Sequence, residues 1–495
     1  MTRAETAVYR RNRLFKEMSS LKARLRSGTR FGDRVLKRRP GFSCRYLTFF
    51  VIVAAYWQDC YPCYASGFAL REQSESALGN AFAGGAAAAE DPSYMFVNPA
   101  ALARQDSTQI VTVLTYVRPK THFNVKGADT AAGVPIGGGQ GGSDITDDQL
   151  VPALYAVVDL SRDVDLVDNL KIALAVTSPF GLETDYYSGW AGRYHALQSK
   201  LRTVNFSPTV SFDVLDRLSV AAGLQAQYAD ADLSNAIDFG SLGAAVPPLA
   251  PFAQPTGQDG KARVEGSDWG FGWTSGLLYQ PFDGTRLGVG YRSHVRQELT
   301  GEARFRLDQA GIGQALSTAT GAFTDTSAKA TLDLPETITF GFYEEIDKQW
   351  SVMADAAWTR WSRIKELRVR FGNPAQPDSV SDADWTDTWF LAAGATYRPA
   401  APWAIRLGIA YDESPVPNRT RTPRVPDNDR YWVTLGVSYQ PSDTMTISAG
   451  YAHIFGSEAS VSLSADDPGS QASGSLSGNV ESSVDIFGLQ LRWAY

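Results

Sequence analysis

Apolar and polar residues alternate with a period of two along much of the chain, which is the pattern of a β-strand with one face in a core or in lipid. The alternation is clearest in YWVTLGVSYQ (431–440), TMTISAGYAHIF (444–455) and SSVDIFGLQLRWAY (482–495). In each segment apolar side chains occupy one face and small or polar residues the other, with aromatic residues near the ends. Such strands suit a barrel wall between lipid and a lumen.

The same pattern predicts about fourteen antiparallel strands, an even number as bacterial barrels favour. Short turns at 281–285 and 440–444 alternate with long loops at 124–148, 236–265 and 464–478. A soluble β-sandwich alternates in the same way, so the period alone leaves two all-β folds open. The predicted strands are 107–118, 149–160, 170–178, 199–213, 217–230, 266–281, 285–306, 326–345, 349–372, 386–398, 402–413, 430–440, 444–463 and 479–495.

The first 65 residues differ from the rest in charge. Residues 1–45 contain fourteen Lys and Arg residues and three acidic residues, and the apolar segment YLTFFVIVAAYW (46–57) follows. A basic segment, a short apolar segment and a small residue at Ala65, in this order, are typical of an export signal. The apolar segment is too short to span a bilayer core of about 30 Å, so a transmembrane helix is not expected here. We expect cleavage after Ala65; a signal anchor that stays attached is the alternative.

The remainder of the chain has its own chemical character. All three cysteines, Cys44, Cys60 and Cys63, lie in the leader, so we expect no disulfide in the exported part. Beyond residue 65 the net charge is −17, which argues against a nucleic-acid partner. No later segment offers about 18 consecutive apolar residues, so insertion of this part into a membrane requires a β-barrel. Export and long strands therefore favour a transmembrane antiparallel β-barrel over a sandwich.

Residues 66–106 precede the first predicted strand and are not expected to belong to the wall. Within them, DPSYMFVNPAAL (91–102) has the composition of short buried helices bracketed by Pro92 and Pro99. A barrel of about fourteen strands is too wide for its own side chains to fill the lumen. We therefore predict that residues 66–106 form a mostly helical hatch inside a barrel built from residues 107–495.

The segment SGFALREQSESALGNAFAGGAAAAEDPSYMFVNPAAL (66–102), with Gly79, Asn98, Pro99 and Ala100, resembles the hatch of the FadL/TodX family of outer-membrane transporters. The resemblance covers residues 66–495 and implies a passive transporter of long-chain fatty acids or other hydrophobic compounds in the outer membrane, without a cofactor. Further similar segments follow in order: TSPFGL (177–182), GRYHAL (192–197), QWSVMADAAWTRWS (349–362) and YDESPVPNRTRTPRVPDNDRYW (411–432).

The third predicted strand is interrupted. LAVTSPFGLET (174–184) begins as an alternating strand and then meets Pro179 and Gly181. Proline lacks the N–H that a β-ladder needs and glycine lacks a packing side chain, so an edge, a bulge or a local break is predicted. The family resemblance implies a kink here, a lateral opening through which ligand leaves, and contact of Phe180 with ligand. The alternative is that the strand has reached the rim of the barrel.

The resemblance also implies a ligand-binding position at Ser178, which matches a residue that contacts a ligand carboxylate. The cations that accompany it in the family fall near Asn235 and Ser381, where this chain has no basic residue. We predict Arg193 and Arg368 as replacements, because a guanidinium binds a carboxylate well. Ordinary solvated arginines are the alternative for both positions.

Catalytic chemistry has little support in the sequence. The four histidines lie far apart without metal-ligand spacing, and no G-x-S-x-G motif occurs. GGGQGG (137–142) lacks the preceding strand and following helix of a nucleotide-binding loop. We predict no catalytic residue and no metal site. An outer-membrane phospholipase and a structural barrel without transport are the alternative functions.

The last residues, Trp493, Ala494 and Tyr495, end a predicted strand on an aromatic side chain. Many outer-membrane barrels end in this way, and the resemblance implies that Trp493 and Tyr495 form a signal for the barrel-assembly machinery. The other implied partners are a hydrophobic small-molecule substrate, membrane lipid and lipopolysaccharide. The barrel is expected to act as a monomer.

Overall fold

The computed structural model of the protein describes residues 67–142, 144–161, 167–467 and 469–495. The predicted export signal, residues 1–65, lies outside the described residues and stays a prediction. Most of the described chain forms one antiparallel sheet of twenty strand segments. They are β1 (Gln109–Asp129), β2 (Gln149–Asp159), β3 (Asp168–Thr177), β4 (Gly181–Asp185), β5 (Gln198–Leu215), β6 (Leu218–Asp238), β7 (Asp259–Phe282), β8 (Thr285–Arg292), β9 (Val295–Arg306), β10 (Thr326–Leu334), β11 (Thr337–Glu345), β12 (Trp350–Thr359), β13 (Glu366–Phe371), β14 (Ser379–Asp382), β15 (Thr388–Tyr397), β16 (Trp403–Asp412), β17 (Arg430–Ser442), β18 (Met445–Gly456), β19 (Ala459–Leu463) and β20 (Ser475–Ala494).

Consecutive segments often form the two halves of one wall strand. For example, β3 and β4 both pair with β5, and β8 and β9 both pair with β7. The same holds for β10/β11, β12/β13, β14/β15 and β18/β19, so the twenty segments occupy fourteen wall positions. The ring closes where β1 pairs with β20, from Gln109 opposite Ala494 to Asp129 opposite Ser475. The predicted fourteen-stranded antiparallel barrel is confirmed.

The apolar face of the strands points outward, as the alternation predicts. On β17 the side chains of Val433 and Leu435 are 52% and 50% exposed, whereas Thr434 between them is buried. On β20 Leu489 is exposed and Gln490 is buried. Exposed apolar side chains recur on neighbouring strands around the wall, so the outer surface is suited to lipid.

The two rims differ in the lengths of their connections. Short turns join β5 to β6, β7 to β8 and β17 to β18, as the sequence predicts for the last two. At the opposite rim the predicted loops 124–148, 236–265 and 464–478 are shorter than expected, because β1, β7 and β20 extend into them. The outward face of these extensions is polar, as with Arg263 and Glu265 on β7 and Ser475 and Ser477 on β20, so they lack the apolar outer face that reveals the lipid-facing part of a strand.

Helices are few and short in the described residues, and none of them is long and apolar enough to cross a membrane. In the hatch, prolines stand in the first turn of two 3₁₀ helices, where a missing N–H costs no hydrogen bond. Side-chain oxygens of Asp91 and Asn98 cap these helices. The helices are α1 (Glu75–Leu78), α2 (Phe239–Ala244), α3 (Ile312–Thr320), and the 3₁₀ helices Pro92–Phe96, Pro99–Arg104, Ala250–Phe252 and Trp361–Arg363.

The hatch, residues 67–106, lies in the lumen and is bonded to the wall by buried polar groups. The amide of Asn98 donates to the carbonyl oxygens of Ala86 at 2.6 Å and of Leu277 on β7 at 3.0 Å. The carboxylate of Asp355 on β12 accepts from the backbone N–H groups of Gly84 and Ala86 at 2.8 and 2.9 Å. The hatch backbone is therefore held at several points around the barrel.

Nine inward-facing glycines, which we call the glycine belt, let the hatch approach the wall this closely. A Cβ atom placed at Gly276 would lie 2.0 Å from Oδ1 of Asn98, and one at Gly488 would lie 1.7 Å from Cδ of Glu75. The glycines also pair across the ladders, as Gly276 does with Gly290. The belt consists of Gly276, Gly288, Gly290, Gly341, Gly394, Gly408, Gly436, Gly450 and Gly488, and a Cβ at any of them would lie within 3.0 Å of a hatch atom.

Candidate functional site

The wall has a local break between β2 and β4. The ladder between β2 and β3 ends at Leu154 and Val176, and β4 pairs with β5 but not with β2. Among the described strands, residues 149–153 of β2 therefore pair only with β1. Their other side faces residues 178–185 without a β-ladder. We call this gap in the ladder the wall break. Pro152 on β2 fits such an edge, since its missing N–H is tolerated where a strand has a partner on one side only.

The first residues of the hatch, 67–73, bind the interrupted strand and are called the strap. The side-chain amide of Gln73 accepts from the N–H of Ser178 at 3.1 Å and donates to its carbonyl oxygen at 2.9 Å. The N–H of Leu70 donates to the carbonyl oxygen of Pro179, and the N–H of Gly181 donates to that of Phe68, both at 2.8 Å. The strap thus satisfies backbone groups at the wall break that lack a partner on β2.

An aromatic cluster joins the strap to the interrupted strand. The ring of Phe68 lies 5.0 Å from Trp361, 5.4 Å from Trp385 and 6.0 Å from Phe180, measured between ring centroids. All four side chains are buried. Edge-to-face contacts of this kind stabilise such a cluster by about 0.5–1.5 kcal/mol per pair beyond the buried area. Phe68 is therefore the apolar anchor of the strap.

An apolar cavity of about 140 Å³ begins on the other side of Phe68. Its walls come from the long-loop ends of several strands and from the loop between β16 and β17. A cavity lined mainly by apolar side chains is suited to a hydrophobic molecule. Its apolar lining includes Phe68, Leu182, Leu201, Leu299, Ile364, Trp385 and Val425.

A second, more polar cavity of about 130 Å³ adjoins the first. Ser381, Asp382 and Arg424 line both cavities, whereas His195 and Asn235 line only the polar one. The two spaces together form an apolar chamber with one polar end. This arrangement is suited to an elongated molecule with an apolar tail and a polar head.

The predicted ligand-binding residues do not converge on this chamber. Ser178 and Phe180 lie at the wall break, against the strap, and are separated from the cavity by Phe68. Arg193 lies in the loop between β4 and β5, where its guanidinium pairs with the carboxylate of Asp259 at 2.6 Å. Arg368 on β13 pairs with Glu366 at 2.6 Å and is absent from the lining of both cavities.

The comparisons with known proteins identify the family. The sequence model of the outer membrane protein transport proteins (OMPP1/FadL/TodX) matches residues 61–495. The chain belongs to this family. A long-chain fatty acid transport protein of Salmonella typhi is 30% identical over 400 residues, which cover 79% of this chain and 88% of the relative. A putative outer membrane protein of Neisseria meningitidis is 31% identical over 454 residues, which cover 87% of this chain and 95% of the relative.

Solved structures in the OMPP1/FadL/TodX family have the same fold. A FadL homologue of Pseudomonas aeruginosa superimposes with a TM-score of 0.79 at 26% identity, over 86% of this chain and 99% of the homologue. The toluene transporter TodX of P. putida has a TM-score of 0.64 at 18% identity, over 86% and 99% of the two chains, and supports the fold alone. The predicted family and outer-membrane location are confirmed. Because the family consists of transporters, the prediction of a non-enzymatic protein is confirmed as well.

Three residues of this FadL/TodX-type site were absent from the residues predicted to bind ligand. Phe68 and Gln73 lie in the recognised hatch segment, but their contacts with Phe180 and Ser178 join residues more than a hundred positions apart. Arg424 lies in the recognised segment 411–432, where it is one of several arginines. The sequence signal for this residue was its basic side chain between Pro423 and Pro426. The position of Arg424 between two cavities depends on the three-dimensional fold and has no such signal.

The hatch of this family member contains two buried carboxyl groups, Glu72 and Glu75. Burial raises the pKa of Glu72 to about 7, with Arg71 opposing the shift. Burial also raises the pKa of Glu75 to about 8, although the hydroxyl of Thr115 donates to its Oε1 at 2.5 Å and opposes the shift. Both carboxyl oxygens of Glu72 and Oε2 of Glu75 have no hydrogen-bond partner among the described residues. These groups favour the protonated state when the hatch is docked.

We predict that docking of the hatch weakens as the pH rises. Since the pKa of each group lies above its ordinary value of 4.5, the docked hatch binds more protons than the released hatch. The resulting stabilisation is complete below pH 4.5 and is lost as the pH rises through 7 and 8. Hydrogen exchange of residues 67–105, corrected for intrinsic rates, should be faster at about pH 9 than at about pH 5.

The matched variant is Glu75→Gln, which keeps an acceptor for Thr115 and removes the ionisation. Its hatch should exchange more slowly than the wild type at high pH and should show a smaller difference between the two conditions. Equal pH dependence in the two proteins would contradict a role for Glu75.

Proposed function

We propose that the protein takes up long-chain fatty acids or other hydrophobic molecules from outside the cell through its apolar cavity and releases them sideways at the wall break. The observation that carries the proposal is the position of Phe68, which lines the cavity and also packs against Phe180 of the interrupted strand. The name of the Salmonella typhi relative, a long-chain fatty acid transport protein, supports the substrate class.

The strap is the proposed gate between cavity and membrane. Ligand in the cavity competes for the space of Phe68, and displacement of Phe68 pulls on the strap. Release of the strap then breaks the four hydrogen bonds that join Gln73, Leu70 and Phe68 to the wall break. Each of these bonds contributes about 0.5–1.5 kcal/mol net. A barrier of this size is low enough for repeated opening, and the opened wall break leads directly into lipid.

The remaining assignments are proposals of the same kind. Residues 1–65 act as a removed export signal, residues 66–106 as the gate and residues 107–495 as the membrane barrel. Trp493 and Tyr495, whose rings stack at 6.1 Å on the exposed surface, present the signal for the barrel-assembly machinery. The barrel works as a monomer surrounded by membrane lipid and lipopolysaccharide.

Uptake by whole cells tests the function. The chain is expressed in a bacterium that lacks its own fatty-acid transporter, and uptake of radiolabelled oleate and of an apolar aromatic probe is measured. Lipopolysaccharide hinders both compounds, so the protein should raise the uptake of at least one above the vector control. Uptake equal to the vector control, with folded barrel present in the outer membrane, would contradict transport. Phospholipid hydrolysis by the purified protein would instead favour a barrel enzyme.

A further inference from the structure

A wide cavity at the short-turn end of the lumen, which we call the vestibule, lies apart from the site described above. Its volume is about 1060 Å³, and it shares no lining residue with the apolar cavity. The hatch, the inner wall and the turns at 346–349 and 398–402 surround it. Since bacterial barrels carry their short turns on the periplasmic side, the vestibule opens toward the periplasm. Its charged lining consists of Arg286, Lys348, Arg398, Arg406 and Arg492 with Glu90, Asp91 and Asp347.

The hatch places one ion-paired carboxylate, Glu90, in this basic lining. It pairs with Arg406 at 2.6 Å and with Arg398 at 3.2 Å. Burial alone would raise the pKa of Glu90, but Arg406 and Arg398 outweigh burial and hold that pKa below its usual value. The other two acids are bonded elsewhere: Asp91 accepts from hydroxyl and amide side chains, and Asp347 accepts from the backbone of its own turn. One carboxylate therefore serves two arginines.

Three cations of the vestibule, Arg286, Lys348 and Arg492, form no ion pair with a carboxylate of the described residues. The guanidinium of Arg286 lies 4.0 Å from the ring centroid of Tyr343, and that of Arg492 lies 3.5 Å from a backbone carbonyl oxygen of the hatch. In addition, Nε of the buried Arg406 has no hydrogen-bond partner among the described residues. With five cations and three carboxylates, the lining has a net charge of +2. The vestibule thus offers donors that an anion would satisfy.

We propose that the vestibule binds a soluble polyanion with phosphate groups, which enters from the short-turn rim and competes with Glu90 for Arg398 and Arg406. A phosphate fits because its oxygens accept from the planar forks of more than one guanidinium. The vestibule is as large as a binding site for a small molecule, so an occupant with several phosphate groups can reach cations on the wall and on the turns. A bound polyanion weakens the ion pairs that hold Glu90, and with them this end of the hatch.

Titration calorimetry with tripolyphosphate tests this site. The folded barrel in neutral detergent should bind the probe at low salt, and the affinity should fall as the salt concentration rises. Lys348→Gln and Arg492→Gln should each weaken binding about threefold, as expected for one partly exposed charge. Glu90→Gln should instead strengthen binding, because it removes the competing carboxylate. The matched control is Arg217→Gln, an exposed cation of another turn at the same rim, which should leave the affinity unchanged.

The competition with Glu90 has a readout of its own. Hydrogen exchange of residues 88–91 should become faster when tripolyphosphate is saturating. Unchanged exchange, together with unchanged affinity in Glu90→Gln, would overturn the competition. This measurement uses the wild type, so it decides the point even where Glu90→Gln yields no folded barrel.

Two other results would overturn the vestibule as the binding site. One is the absence of binding to the wild type at low salt. The other is an equal loss of affinity in Arg217→Gln and Lys348→Gln, which would show unspecific attraction to the rim. Dihexanoyl phosphatidylglycerol serves as a second probe. Binding of this lipid in place of tripolyphosphate, weakened by Lys348→Gln and Arg492→Gln, would assign the vestibule to a lipid head group and refute a soluble ligand.

Discussion

Replacement of Gly276 by valine is expected to displace the hatch from the lumen. A Cβ at this position would lie 2.0 Å from Oδ1 of Asn98 and 2.8 Å from the backbone nitrogen of Ala100. Asn98 is held by two further hydrogen bonds, so it does not move aside freely. Overpacking of a well-packed site costs about 1–3 kcal/mol, and contact with backbone-held atoms puts this variant at the upper end. The barrel should then conduct ions and small polar solutes in planar bilayers.

The matched control is Gly266→Val, on the same strand β7. A Cβ at Gly266 would have its nearest neighbour at 3.4 Å, in ordinary contact. This variant should keep the low conductance of the wild type. Both proteins should reach the outer membrane as folded barrels, judged by their heat-dependent mobility in gels. A closed lumen in folded Gly276→Val would show that the hatch tolerates the added side chain and that the glycine belt is not required for docking.

Repair of the wall break is expected to reduce delivery of hydrophobic substrate to background. Removing residues 179–181, or replacing them with an alternating strand sequence, would let the third wall strand continue its ladder with β2 over residues 149–153. Residues 179–181 do not line the cavity, so binding of substrate should persist while delivery into the membrane stops. Cell uptake and binding in detergent measure the two quantities separately.

The control for this change is another irregularity in the wall. Ser293 and His294 separate β8 from β9, and neither has a described hydrogen bond with the strap. Replacing them with Thr and Val should leave uptake unchanged. Hydrogen exchange of residues 149–153 would verify that the ladder has formed in the repaired strand. Uptake at the wild-type rate in that variant would refute lateral release and favour a path straight down the lumen.

The barrel was predictable because lipid on one side and a lumen on the other force a period of two on the sequence. The predicted strand ends were wrong where the outer face of a strand no longer contacts lipid. Beyond the membrane, β1 continues to Asp129 and β20 begins at Ser475 with polar residues on the outward face. The short segment β4 was missed because Pro179 and Gly181 hide its strand character, although the interruption itself was recognised.

The candidate site was predictable only in part. Pro179 and Gly181 marked the interrupted strand because their effect on a β-ladder is local. The partners of that strand, Phe68 and Gln73, come from the far end of the hatch and have no local signal. Arg424 lines both cavities, and that position depends on which residues the fold brings together. The predicted cations Arg193 and Arg368 have acidic partners, and no feature of the sequence distinguishes them from Arg424.

The glycine belt also has a consequence for how the molecule folds. Glycine within a strand loses more conformational entropy on folding than other residues and adds no side chain to the packing. The nine residues lie on eight of the fourteen wall strands, so the wall at these positions is intrinsically less stable than in its more regular parts. The hatch supplies the missing contacts at these positions. This part of the wall and the hatch are thus expected to become ordered together, as one cooperative unit, after the more regular parts of the cylinder have formed.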